Sequence, residues 1–260
     1  MSAYGRVAPP KRTSATPLSP RVYALPERVR KDPSDPREAV LCVPFGEAGQ
    51  GQLPEEGVKL LRGIFNTELE RGLTYPQEEI MSDDAFASYF LGYDLIVGIF
   101  LPSLPAGIKP TEAGTDISLS DANVDVTSLD WKKSLACFYY VKPNYPGRSS
   151  HLCNAGFVVP DWNRGLGLGG LAGRSFTHYG PTLGYAGSVF NLVYANNVAS
   201  LAIWQRLGFT QVGKIPNAGR LRIAGAKEGE PQEAFYDAWI IHCNFAERQA
   251  KEEAAKKEVA

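Results

Sequence analysis

Arg164-Gly165-Leu166-Gly167-Leu168-Gly169-Gly170-Leu171 is the stretch on which the reading of this chain turns. It follows an apolar, β-rich run, Leu152–Val159, and opens a segment that reads as a helix to about Tyr179. Glycines between a strand and a helix leave backbone N–H groups unscreened, and the helix start adds partial positive charge. An anion such as a pyrophosphate can be cradled there. Several readings compete. Gly165-x-Gly167-x-x-Gly170 satisfies the dinucleotide fingerprint. The next predicted strand, Ala186–Tyr194, brings no acid for a ribose, however, and runs into Asn196 and Asn197 instead. The P-loop pattern fails because no Gly-Lys-Ser/Thr follows. A plain turn, with glycines only for close packing, stays open.

Outward from that stretch the pattern is mixed α/β. Val40–Pro44 reads as a short strand, and Glu55–Arg71 places Val58, Leu61, Ile64, Phe65 and Leu69 at helical spacing before Gly72. Ser82-Asp83-Asp84 is an N-cap signal for a second helix. Tyr93–Leu101 and Leu135–Val141 read as an antiparallel pair flanking an insertion. After the glycine loop come strand Ala186–Tyr194, helix Val198–Leu207, strand Phe209–Lys214 and a strand near Phe235–Ile241. Antiparallel strands followed by two strand–helix units fit neither a barrel nor a doubly wound sheet.

Composition sets the boundaries and excludes whole classes of function. The chain has 260 residues and a net charge of −1, so no overall basic field draws it to nucleic acid. The longest apolar runs fall short of a membrane span. Cys42, Cys137, Cys153 and Cys243 are far apart in strand-like contexts, which points to buried free thiols in a reducing compartment. No metal-ligand spacing is present. Residues 1–35 read as a disordered, basic, Pro-rich leader, and residues 36–245 as the folded domain. Within that domain, 103–130 reads as a disordered acidic insertion, and 246–260 as a charged tail. A leader rich in Arg and poor in acids is also compatible with a mitochondrial presequence, although its prolines spoil the amphipathic helix such a signal needs. The cytoplasm is the expected location.

Arg164-x-x-Gly167-x-Gly169 resembles the acyl-CoA pyrophosphate loop of the GNAT acetyltransferase superfamily. Asn197, Ser200, Trp204, Gly208 and Phe209 resemble its second pattern, N-x-x-A/S-x-x-x-Y-x-x-x-G-F, in the right order. The resemblance implies an α/β (α+β) acyltransferase fold with a mixed sheet whose two central parallel strands splay apart. It implies acetyl-CoA as cosubstrate, with no metal. Backbone groups of Phe157, Val158 and Val159 would pair with the pantetheine arm, one N–H polarising the thioester carbonyl. Gly165, Leu166, Gly167, Leu168 and Gly169 would hold the pyrophosphate, with Arg164 adding charge, and Asn197, Ser200 and Trp204 would border the arm. Most members have Tyr where Trp204 stands. An indole N–H is too weak an acid to protonate a leaving thiolate.

A closer resemblance covers about residues 60–220. Phe138-Tyr139-Tyr140-Val141-Lys142-Pro143-Asn144-Tyr145, Ser150-His151-Leu152-Cys153-Asn154-Ala155-Gly156-Phe157 and Phe190-Asn191-Leu192-Val193 are similar to the fungal L-azetidine-2-carboxylate (proline-analogue) N-acetyltransferases. That family implies an acceptor that is a small amine or imino acid, a homodimer, and Asn154 and Asn191 as substrate-binding residues. From the residues alone, an asparagine within an apolar strand needs a hydrogen-bonding reason. The two amides face an acceptor pocket or else tie down a bulge. No carboxylate stands out as a base, and His151 is a weak candidate. Cys153 would point away from Asn154, so direct attack is expected rather than an acyl-enzyme.

Overall fold

Strand runs such as Ala39–Phe45 and Leu135–Pro143 carry apolar side chains on both faces, so they require cover above and below. In the computed structural model, which describes residues 6–12, 16–30, 35–104 and 107–259, both runs are buried along their whole length. They sit inside one nine-stranded sheet. In chain order its strands are β1 (Arg21–Ala24), β2 (Ala39–Phe45), β3 (Asp94–Leu101), β4 (Thr115–Asp116), β5 (Leu135–Pro143), β6 (Leu152–Val158), β7 (Gly187–Tyr194), β8 (Thr210–Arg222) and β9 (Glu233–Asn244). Their spatial order is β4-β1-β2-β3-β5-β6-β7-β9-β8. Every pairing is antiparallel except β6 with β7.

The helices are α1 (Glu27–Arg30), α2 (Glu55–Arg71), α3 (Asp83–Phe86), α4 (Trp131–Ser134), α5 (Leu168–Thr182), α6 (Val198–Arg206) and α7 (Phe245–Val259). They divide between the two faces of the sheet. On one face α2, α3 and a π turn at Ala87–Leu91 bury Phe65, Phe86 and Phe90 against Phe138 and Tyr140. On the other, α5, α6 and Phe245 bury Phe176 and Trp204 against Tyr139 and Phe190. Local signals end the elements. Ser82 Oγ accepts from Ala85 N–H to cap α3, and Gly72 closes α2 in the left-handed region.

Two segments read from the sequence as disordered are ordered where the structure describes them. Of the leader, residues 1–5, 13–15 and 31–34 lie outside the described residues. The rest places β1 beside β2 and buries Leu18, Val22, Tyr23, Leu25 and Val29. Four residues, Arg-Val-Tyr-Ala, suffice because an existing sheet edge supplies the hydrogen-bonding partner. The acidic insertion at 103–130 forms β4 against β1, ties Arg21 to Asp116, and buries Ile117 and Ala122. Residues 105–106 of it lie outside the described set. The charged tail is the helix α7. Among the described residues no helix is long and apolar enough to cross a membrane.

Candidate functional site

β6 and β7 pair in parallel only at Leu152↔Gly187 and Cys153↔Ser188. From Asn154 onward they part, and β7 also slips against β9 between Phe190 and Val193. The inner edge of β6 is therefore left without a ladder from Asn154 to Val158. Alternation along β6 sends Cys153, Ala155 and Phe157 to the α5–α6 face, and Asn154, Gly156 and Val158 to the α2 face. A Cβ at Gly156 would lie 2.5 Å from the Tyr140 ring, so only glycine fits there. The wedge thus has an aromatic side, where Phe157 meets Trp204 at 4.9 Å and Phe176 at 5.5 Å, and an amide side.

The glycine loop lies at the C-terminal end of β6, before α5. Gly165 and Gly167 adopt φ of +78° and +83°, which L side chains rarely tolerate. Among the described residues the backbone N–H groups of Gly165, Leu166, Gly167, Leu168 and Gly169 donate no hydrogen bond. Five consecutive donors without a partner lie at and just before a helix N-terminus, the supply of N–H groups an anion needs. At Gly169 a Cβ would come within 2.9 Å of the Ile203 Cδ1 methyl on α6, so the glycine lets α6 pack close without moving that side chain. The dinucleotide and plain-turn readings lose ground to this geometry. The glycines hold an open row of donors beside parted strands, and β7 brings no acid.

Arg164 departs from its expected role. Its guanidinium is ion-paired with Glu68 and lies 3.1 Å from Asp161, in a cluster that Arg71 completes. Two carboxylates offset its charge, and the Arg71 guanidinium holds the Asp161 carboxyl below its ordinary range. A cation that does touch the loop is Arg28 of α1, donating to the Gly165 carbonyl at 3.1 Å, while Pro26 packs under Gly167. Sequence reasoning missed both, because they belong to the segment read as a leader.

Asn197 caps α6, its Oδ1 accepting from Ser200 N–H at 3.1 Å. Trp204 is buried and its indole N–H donates to Ser200 Oγ at 3.0 Å, so that proton is already engaged. Val158 is buried in the core on the α2 face, and Val159 packs against the α5–α6 core. The carbonyl of Phe157 accepts from Tyr75 Oη at 3.1 Å, which leaves its N–H as the group able to meet a thioester.

The two asparagines differ. The Asn154 amide makes no hydrogen bond among the described residues and is half-buried at the wedge. Asn191 forms a reciprocal amide pair with Asn144, at 3.0 and 2.7 Å, and Tyr145 Oη donates to it at 3.2 Å. The Asn154 amide is thus unengaged, whereas Asn191 is tied to Asn144 and Tyr145 beside the β7 register shift and keeps one amide N–H unused. Asn144 and Tyr145 were missed as partners, although they stand in the motif quoted above. Exposed His151 holds its Nδ1 3.1 Å from the Arg148 carbonyl oxygen in the turn before β6, a local contact rather than a placement as base. Cys153 is buried and its thiol is pushed up by burial, which removes it as a nucleophile. No group of three or more metal-ligating side chains occurs among the described residues.

A cavity of about 480 Å³, lined by Gly72, Tyr75, Gln77, Arg220, Arg222 and Glu233 among others, is joined to β6 by Tyr75, whose hydroxyl donates to the Phe157 carbonyl. The β8–β9 hairpin closes over it through Arg222 N–H to Gly72 O at 2.9 Å and Arg220 to Glu78 at 2.8 Å. Gln77 Nε2 reaches Tyr89 Oη at 3.3 Å, linking the cavity to the tyrosines under Asn154.

No protein-family model matches the chain. The N-acetyltransferase aca1 of Schizosaccharomyces pombe (strain 972 / ATCC 24843) is 33% identical over 204 residues, covering 78% of this chain and 88% of that protein. A GCN5-related N-acetyltransferase from Kribbella flavida shares the fold, with TM-score 0.54 and 18% identity over 73% of this chain and 93% of that one. A GNAT superfamily phosphinothricin acetyltransferase from Sinorhizobium meliloti, solved in complex with AcCoA, matches with TM-score 0.50 and 15% identity over 72% and 83% of the two chains. With a named N-acetyltransferase one-third identical across most of both chains, and with this sheet, wedge and donor-lined loop, the chain belongs to the GNAT superfamily of N-acetyltransferases.

Proposed function

We propose that this enzyme transfers acetyl from acetyl-CoA directly to the nitrogen of a small amino or imino acid, a proline analogue such as azetidine-2-carboxylate. The observation that carries the reading is the parting of β6 and β7 after Cys153, with an unbonded Asn154 amide on one side and the N–H row of Gly165–Gly169 at its end. The row fits a diphosphate, with Arg28 beside it, and the Phe157 N–H fits an acyl carbonyl that gains negative charge. The deprotonated acceptor nitrogen attacks the carbonyl carbon, the C–S bond breaks, and the electron pair leaves on sulfur. The proton shed by the acceptor nitrogen goes to water, and water in turn protonates the thiolate, since the Trp204 N–H is engaged with Ser200 and Cys153 is buried.

An alternative reading, acetylation of protein lysines, would draw on the acidic insertion 103–130. That segment lies at the β4–β1 edge with β1, β2, β3 and β5 between it and β6, which favours the small acceptor. In a cell the four free, buried cysteines suit the cytoplasm, and β1 suits a retained rather than a cleaved N-terminal segment. The outer strand β8, with Val212 and Ile215 exposed, offers a homodimer a face to cover. A thiol-release assay with acetyl-CoA against azetidine-2-carboxylate, hydroxyprolines, primary amines and a lysine peptide tests the reading. Release with the imino acids supports it. Release with the peptide alone overturns it, and acetyl-CoA binding without release identifies a silent module.

A further inference from the structure

Lys142 lies on β5 directly opposite Asn154 in the β5–β6 ladder, so the two side chains share the face that carries Gly156 and Tyr140. It is only 8% exposed. Its Nζ stands 4.0 Å from the ring centre of Tyr89 and 4.5 Å from that of Tyr140. Among the described residues it makes no hydrogen bond and no ion pair. The groups that face it are phenols: Tyr89 from the π turn and Tyr140 from its own strand, joined to each other at 3.0 Å. Burial pulls the ammonium down to about 8, and no acid offsets that pull. The stem is buried while Nζ keeps a contact with solvent, and an ammonium this far desolvated without a counter-ion is uncommon, because charge is costly to desolvate unless it is paired.

The surroundings say what the missing partner is. Two residues along from Lys142, just past the end of β5, Asn144 is locked to Asn191, and that pair retains unused amide N–H donors. Ammonium, amide donors and phenol hydroxyls on one face suit a small planar monoanion. We propose that Lys142 anchors the carboxylate of the acceptor, while Asn154 across the ladder receives its nitrogen. This rests on the small amino- or imino-acid reading above and deepens it. The acceptor would be an amine bearing an α-carboxylate, and simple amines would be poor substrates.

The test pairs each acceptor with its carboxylate-free counterpart: azetidine-2-carboxylate with azetidine, proline with pyrrolidine, alanine with ethylamine. kcat and KM are measured for wild type, Lys142→Met and Lys142→Arg. Wild type favours the carboxylate member. Lys142→Met reduces that preference by ~10–100-fold, the worth of one charge-assisted hydrogen bond, with the loss carried in KM. Lys142→Arg keeps most of the preference. An unchanged preference in Lys142→Met, or equal losses on both members of a pair, overturns the proposal. Should the variants fail to fold, wild type alone decides: cyclobutanecarboxylate competes with the acceptor and cyclobutanecarboxamide does not, and equal inhibition by both overturns it. Preference for alanine over the ring acids sinks the imino-acid reading and leaves Lys142 standing. Acetylation of simple amines with no carboxylate preference sinks Lys142 and leaves amine acetylation standing.

Discussion

Removing residues 1–31 tests whether the basic N-terminal segment belongs to the fold. The deletion takes away Leu18, Val22, Tyr23, Leu25 and Val29, each 4% exposed or less. At ~1.5–3 kcal/mol for each fully buried side chain, the loss is ~8–15 kcal/mol as an upper bound. A whole domain has only about 5–15 kcal/mol to lose. The deletion also strips β2 of its outer partner and frees the Tyr179 hydroxyl from the Ser19 carbonyl at 2.9 Å. The truncated chain is therefore expected to show no cooperative melt and no thiol release. A graded variant keeps the test informative. Tyr23→Ala should cost ~3–5 kcal/mol, which lowers the melting temperature by roughly 6–20 °C in a chain of this length. Thermal melts followed by circular dichroism, beside thiol release, give both readouts. A truncated protein that melts cooperatively within about 5 °C of the full chain and still turns over would refute the reasoning.

Three further outcomes are expected. Gly167→Val forces a β-branched residue to φ +83° with its Cβ 3.0 Å from Pro26, so calorimetry should show acetyl-CoA binding at least ~10-fold weaker; unaltered affinity would move the diphosphate away from this loop. Asn154→Ala should lower kcat/KM by roughly 10–100-fold with acetyl-CoA affinity retained, and near-normal kcat/KM would take it out of the site. Lys142→Met should stabilise the fold at pH 7. The ammonium falls from its ordinary 10.5 to about 8 on folding, so its penalty, at most ~3 kcal/mol, is fully present below pH 8 and fades as pH rises towards 10.5. A melting gain that grows with pH contradicts that sign.

What could be read from the residues is what short-range chemistry decides. Gly165 and Gly167 announce positive φ, Asn197 and Ser82 announce caps, and β3 with β5 follows from two apolar runs flanking one insertion. Pairings between residues distant in the chain were invisible. Nothing at Arg164 tells that Glu68, 96 positions earlier, takes its charge. Nothing at Asn191 tells that Asn144 reciprocates its amide. Lys142 reads as one polar residue in a strand until Tyr89 and Tyr140 are seen around it. β1 escaped notice because four residues hemmed by prolines carry no periodicity, and only the waiting edge of β2 makes them a strand.

β9 lies between β7 and β8, although it is the last strand to be made. During synthesis the ribbon carrying Asn191 must wait with one flank bare until residues 233–244 leave the ribosome. A message cut short before that point yields a product with an open, apolar seam, prone to stick to its own kind. Reporter tags and fusion partners thus have to leave Ile241 and Cys243 room to slot home.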